Sequence, residues 1–188
     1  MSGDAENGWQ ELWDSRAEAL AKVFGKYDDT ILHASVPFEM GQDVGGSPDV
    51  LSFPHHTDGV LYVTADLIGS DQRPNSEGQY ELAVVHSAGD DWGISIICHL
   101  SYYTIDNVIE DGETMDIGEA APSDSTITAL FFRRIAKLNV INQKSNVICC
   151  VGLTREELDY KSKHGSEALI EKLGDDFVLT DMKRASKV

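Results

Sequence analysis

The sequence predicts an α+β domain with a mixed, largely antiparallel sheet flanked by helices. Three observations predict it. Short runs rich in β-formers, such as residues 60–65 and 80–85, are bounded by turn residues. Other segments carry apolar residues at helical spacing. The two kinds follow one another without the regular rhythm of βαβ units. A chain of 188 residues with 41% apolar content is long enough to bury a sizeable core as one domain.

Trp9, Leu12, Trp13, Leu20, Val23, Phe24 and Tyr27 recur at helical spacing, so residues 9–26 read as an amphipathic helix. Asn7 or Gly8 supplies its start and Gly25 lies near its end. Residues 1–27 are therefore a helix packed on a domain of residues 28–188. Residues 30–38 look like a strand reaching Pro37, and the glycine-rich stretch 41–50 is a loop. Two strands follow, at 60–65 and 80–85, joined by a polar connection over 69–78 that is expected to be exposed and mobile.

The isoleucines of residues 91–105 would suit a strand. Trp92, Ile96, Leu100 and Tyr103 instead follow helical spacing, with Asp90 or Asp91 available as a cap, and the run is long for a strand. It is read as a helix. Asp111-Gly112 is a turn, and 113–118 is a short extended piece. Strands are expected at 126–132, 138–141 and 146–151. Thr154-Arg-Glu-Glu157 has the pattern of a capping box, opening a helix over 155–163 that stops near Gly165. Ser166 starts a second helix ending before Gly174, and a short strand closes the chain over 179–184.

The formal charge of −17 disfavours nucleic acid and anionic membranes as partners and would speed encounter with a basic one. Cys98, Cys149 and Cys150 sit in apolar runs, where cysteine behaves as a small hydrophobe. Neighbouring Cys149 and Cys150 point to opposite faces of a strand, so they do not pair. The odd count without a CxxC fits a reducing cytoplasm. The N-terminus lacks the basic and apolar regions of a signal peptide, and no apolar run approaches the roughly 18 residues of a membrane span.

Candidate chemistry is sparse. His55, His56 and Asp58 could ligate a metal, with His86 and His99 as further donors. Adjacent histidines on an extended chain diverge, however, and no ligand spacing is present, so neither a metal nor a cofactor is expected. No Gly-x-Ser-x-Gly elbow exists, and Cys98 beside His99 is adjacency in sequence alone. Asp28-Asp29, Asp90-Asp91 and Asp175-Asp176 lie at element boundaries, where aspartates cap and turn the chain. The glycines of 41–46 match no phosphate-binding pattern. No catalytic residues are assigned.

Several segments, in order, resemble the suppressor of fused family. Phe53-Pro-His-His56 precedes a strand ending in Asp66-Leu-Ile-Gly69, and Tyr80-Glu-Leu resembles a Phe-Glu-Leu strand start. Asp91-Trp92 leads to Leu100-Ser-Tyr-Tyr103, and Gly112-Glu-Thr-Met115 resembles the family's Gly-Asp turn. Val151-Gly-Leu-Thr-Arg-Glu-Glu-Leu158 with Thr180-Asp-Met-Lys-Arg184 is the nearest match. The resemblance spans about residues 53–188 and implies one α+β domain that binds another protein. Animal members hold a Gli-type transcription factor between this domain and a second one. The present chain ends where that domain would begin, so that role is not carried over. Short bacterial members include immunity proteins that neutralise toxins, which suits an acidic surface.

These readings make the chain a cytoplasmic, non-enzymatic protein-binding module, an immunity or antagonist protein for a basic toxin or regulatory partner. The alternative is a hydrolytic or metal-dependent enzyme. Tyr62, Asp66 and Asp71 are the expected partner contacts, because the family uses the neighbourhood of this motif and loops on a rigid sheet favour binding. Trp9, Trp13 and Phe24 are expected to dock their helix on the sheet, with a partner or homodimer surface as the rival.

Overall fold

Apolar segments that alternate inward and outward build one open six-stranded sheet in the computed structural model, which describes residues 3–175 and 177–188. The strands are β1 (Val50–Phe53), β2 (Val60–Thr64), β3 (Gln79–His86), β4 (Thr114–Asp116), β5 (Ile127–Val140) and β6 (Gln143–Thr154). Their order is β1-β2-β3-β6-β5-β4. β3 and β6 run parallel, and the other neighbouring pairs are antiparallel. The helices are α1 (Gly3–Phe24), α2 (Trp92–Asp106), α3 (Arg155–His164) and α4 (Ser166–Leu173). The domain is α+β, as the segment order predicts.

Each face of the sheet is covered. On one, Leu20 and Phe24 of α1 and Leu169 and Leu173 of α4 pack over Phe53, Leu61, Val63, Phe131, Val147 and Val151. On the other, Ile97 and Leu100 of α2 pack over Tyr80, Leu82, Val84, Phe132 and Ile148. The two-residue period of a strand sends Cys149 to the first core and Cys150 to the second.

Several sequence expectations are corrected. The first helix begins at Gly3, well ahead of residue 9, and ends at Phe24. Residues 30–38 are not a strand; they make an isolated bridge from Leu32 to Val50 and enter a 3-10 turn at Phe38–Met40. The strands expected at 126–132 and 138–141 are one long strand, β5, whose pairing shifts register between Arg134 and Ala136. The irregularity leaves Ile135 out of the ladder, while Arg133, Arg134 and Lys137 stay paired with β6. Residues 179–184 form no strand; Thr180 N–H donates to Val85 O, Met182 O accepts from Thr126 N–H, and side-chain bonds hold the rest.

The connection 69–78 is exposed or half-buried along its length except at one residue. Gln72, buried, clamps Tyr80 by donating to its carbonyl at 2.9 Å and accepting from its N–H at 2.9 Å. Asp91 is the N-cap residue of α2 but makes no side-chain capping bond. Asp28 and Asp175 do take up local backbone N–H groups, those of Thr30 and Phe177, while Asp176 lies outside the described residues.

The capping box forms as read. Thr154 Oγ1 accepts from Glu157 N–H, and Glu157 returns the bond to Thr154 N–H. Glu157 is also fully buried, and the Arg184 guanidinium reaches both of its oxygens, at 2.7 and 2.6 Å, while Lys187 N–H adds a further bond at 2.9 Å. Burial pushes this carboxyl up, but the Arg184 fork and the two N–H groups outweigh it and hold the group below its usual range. Replacing Arg184 with Met should cost about 3–5 kcal/mol, because Glu157 is left buried without its cation. Urea unfolding at pH 7 measures the loss.

Candidate functional site

Two concave regions gather polar side chains. The first lies at the C-terminal end of β3, where the tail 178–187 crosses. It is an open cleft of ≈ 660 Å³, with Ser87, Asp90, Asp181 and Lys183 among its lining residues. Asp181 is held by Ser87, whose N–H donates to it at 2.8 Å and whose hydroxyl makes a short bond to its other oxygen. The Trp92 indole N–H donates to Thr180 O at 2.8 Å and anchors the tail on α2.

Beneath the cleft, His86, Asp90 and Asp181 bring potential ligand atoms within 4.8 Å of one another, the one such group of three among the described residues. Their chemistry argues against a metal. His86 Nε2 accepts the Gly93 N–H at 2.9 Å, so in the neutral ring the proton sits on Nδ1. Burial pushes the imidazole pKa down, overcoming the nearby Asp90 and Asp181, so neutral is the resting form. The nitrogen facing the carboxylates is then an N–H, not a lone pair. It lies 3.8 Å from Asp181 Oδ1, too far for a hydrogen bond, and has no other partner.

Gly93 makes this approach possible, since a Cβ there would lie 2.4 Å from His86 Nε2 and 2.9 Å from Val84 Cγ2. The other sequence candidates for metal ligation are placed elsewhere. His56 is wedged between Phe24 and Phe177, each with ring centroids 4.9 Å away, while His55 and Asp58 are exposed. His99, exposed on α2, contacts Ser95 O at 2.6 Å.

The second region lies where α1 crosses the loop after β2. Glu81, fully buried on β3, accepts from Ile68 N–H at 2.9 Å, Leu67 N–H at 3.0 Å and the Thr64 hydroxyl at 2.6 Å. It thereby shapes the turn 65–69. Arg16, 3% exposed, donates to Ile68 O at 3.2 Å and lies 3.5 Å from Asp66. Asp66 accepts Asp49 N–H at 2.7 Å, and Asp49 in turn contacts His33 Nδ1 at 2.7 Å. A cleft of ≈ 310 Å³ opens above this chain of contacts, walled by Trp9 and Leu12 of α1 and by Pro37, Phe38 and Glu39.

The three expected contact residues occupy different settings. Tyr62 is half-buried on the α2 side, with its ring centroid 6.2 Å from that of His86. Asp66 lines the second cleft and is engaged by Arg16 and the Asp49 N–H. Asp71 is exposed. No hydrogen bond, ion pair or ring contact joins the three. Trp13 and Phe24 pack on the core, whereas Trp9 stays 48% exposed.

Arg16, Asp49 and Glu81 were not among the sequence candidates, although two carried a signal. Arg16 falls between Leu12 and Leu20 at four-residue spacing, a charge on an apolar stripe. Glu81 interrupts an otherwise apolar strand. Charges at such positions are buried and must be paired.

Burial raises the Glu81 carboxyl to about 7, against the lowering effects of Arg16, the Ile68 N–H and the Thr64 hydroxyl. A raised acid holds its proton more tightly in the folded chain. Its contribution to stability is therefore fullest below the unfolded value and falls as pH rises toward 7. Between pH 5.5 and 7.5 the loss should be about 2 kcal/mol by linkage. Glu81→Gln should flatten that slope, because its Oε1 can accept from Leu67 and Ile68 while its amide donates to Thr64. Chemical unfolding at several pH values reads both. Gly93→Ala should separately cost about 1–3 kcal/mol by forcing α2 off His86, measured by thermal unfolding.

A family model described as Suppressor of fused protein (SUFU) matches residues 47–185. Among solved structures, one titled the Sufu-Fu complex aligns with a TM-score of 0.71 at 12% identity, over 94% of this chain and 92% of that one. A putative SUFU homologue from Neisseria gonorrhoeae FA 1090 aligns with a TM-score of 0.66 at 16% identity, over 95% and 98%. Drosophila Suppressor of Fused aligns with a TM-score of 0.66 at 12% identity, over 96% of this chain but 51% of its own length. These identities show a shared fold. No curated protein sequence matches the chain.

Proposed function

Because this chain belongs to the suppressor of fused family, a family of protein-interaction domains, we propose that it is a non-enzymatic binding module whose partner is a basic protein. In the complex named above, the relative is bound to Fu. The partner proposed here has a different basis. The observation that carries it is the uncompensated negative surface. The chain has 32 acidic residues against 15 basic ones. Lys26, Arg134, Lys137, Arg155, Lys183 and Arg184 are each engaged by a carboxylate. Among the described residues most of the other acidic side chains are exposed, a field that steers a cationic protein toward the surface.

Within that class, the reading we favour is an immunity or antagonist protein, a cytoplasmic acidic domain that covers a basic toxin domain. Affinity would come from a few buried aromatic or arginine anchors, while charge sets the on-rate. Tyr62, Asp66 and Asp71 remain the proposed contacts. Asp71 is the one free to reach outward, and Asp66 contributes through the cleft it lines. Among the described residues no helix is long and apolar enough to cross a membrane.

The test pairs the purified chain with a basic toxin domain encoded beside it. Co-expression should restore growth, and the association rate should fall about tenfold or more between 50 and 300 mM salt. Unchanged toxicity with no measurable complex would remove the immunity reading. A complex whose on-rate ignores salt would remove the electrostatic one.

A further inference from the structure

The cleft between α1 and the segment 33–39 combines features that the core does not need. Its floor holds Asp49 and Asp66, and Glu39 stands at its rim. Arg16 is the permanent cation beside them, with the His33 imidazole against Asp49, and the reach of Arg16 is incomplete. It approaches Asp66 at 3.5 Å, gives another N–H to Ile68 O, and its Nε has no partner although the residue is 3% exposed. Burial and the neighbouring Asp49 and Glu39 raise the Asp66 carboxyl, while the Asp49 N–H and Arg16 act against them. Three carboxylates thus line a cleft that holds one guanidinium and one imidazole.

The mouth of the cleft is apolar. Trp9, 48% exposed, lines it together with Leu12, Pro37 and Phe38. A large aromatic left in water beside carboxylates is the arrangement that holds an organic cation, whose charge sits over the ring while its N–H groups meet the acids. The volume of ≈ 310 Å³ corresponds to roughly ten waters at about 30 Å³ each, enough for one long side chain and its peptide unit.

We propose that this cleft receives an arginine or lysine side chain of the protein partner, clasped between the Trp9 indole and the carboxylates of Glu39, Asp49 and Asp66. The proposal rests on the reading that the partner is basic, and it adds the place and the chemistry of the contact. Arginine suits the site better, because its planar guanidinium stacks on indole and forks to a carboxylate.

The test uses the isotopically labelled chain and two capped tripeptides, Gly-Arg-Gly and the same peptide with neutral citrulline in place of arginine. The arginine peptide should give saturable shifts at the Trp9 indole N–H and at the Ala34 and Gly69 amides. Citrulline should give none. A double variant, Trp9→Ala with Glu39→Gln, alters two exposed residues and should bind about tenfold more weakly with its spectrum otherwise intact. The absence of saturable shifts, equal shifts with citrulline, or shifts centred elsewhere would each overturn the assignment. So would a basic protein partner that binds the double variant as tightly as the wild type. That last result would leave the basic-partner reading standing, whereas failure of every basic partner to bind the wild type would remove the reading itself.

Discussion

A carboxylate taken out of water must be met by donors, and two such groups organise this fold. Glu81 and Glu157 are both fully buried, and each gathers backbone N–H groups from a segment that has no regular structure of its own. Around Glu81 the turn 65–69 closes, which sets Asp66 and brings Arg16 of α1 down onto Ile68. Around Glu157 the capping box, the Arg184 fork and Lys187 fasten the tail to α3. The apolar cores supply most of the stability of such a domain. The buried acids decide where its irregular segments go, because an unsatisfied charge in either place costs more than any local rearrangement could return.

Elements whose determinants are local could be read from the chain. The capping box is fixed by two side chains three residues apart, and α2 by the spacing of Trp92, Ile96, Leu100 and Tyr103. The strands at 60–64 and 79–86 are bounded by turns that any register would require. What could not be read depended on distant partners. Residues 30–38 have strand propensity, but Leu32 alone meets β1 before Pro37 and the 3-10 turn divert the chain. Residues 138–140 look like a separate strand until β6 is present to hold β5 through its irregularity. The cleft was half legible. Asp66 stood out through its motif, whereas Arg16, Asp49 and Glu39 come from segments that meet only in the folded chain.

His86, Asp90 and Asp181 show why a cluster of ligand types is not yet a metal centre. Their atoms are close enough to share an ion, and the cleft above them is open. The decision falls to a backbone N–H on the far side of the imidazole. Gly93 occupies the lone pair of Nε2, and that assigns the proton to Nδ1. A metal-binding histidine normally shows the opposite arrangement, with its outer N–H donating to an acceptor. The residue therefore acts as a packing anchor for the first turn of α2.

The parallel pairing of β3 with β6 has a consequence for how the protein is made. Gln79 must wait for Ser145, and Glu157 for a guanidinium 27 residues further on. At translation speeds of about 5–20 residues per second, these delays amount to seconds during which a strand edge and a buried acid lack their partners. The nascent chain can close the β1–β2–β3 meander early, yet its inner edge stays open until the long β5–β6 hairpin has been synthesised and docked. Such a topology favours rapid translation through residues 87–142 and an escort for the exposed edge, a demand on the cell that the finished structure no longer displays.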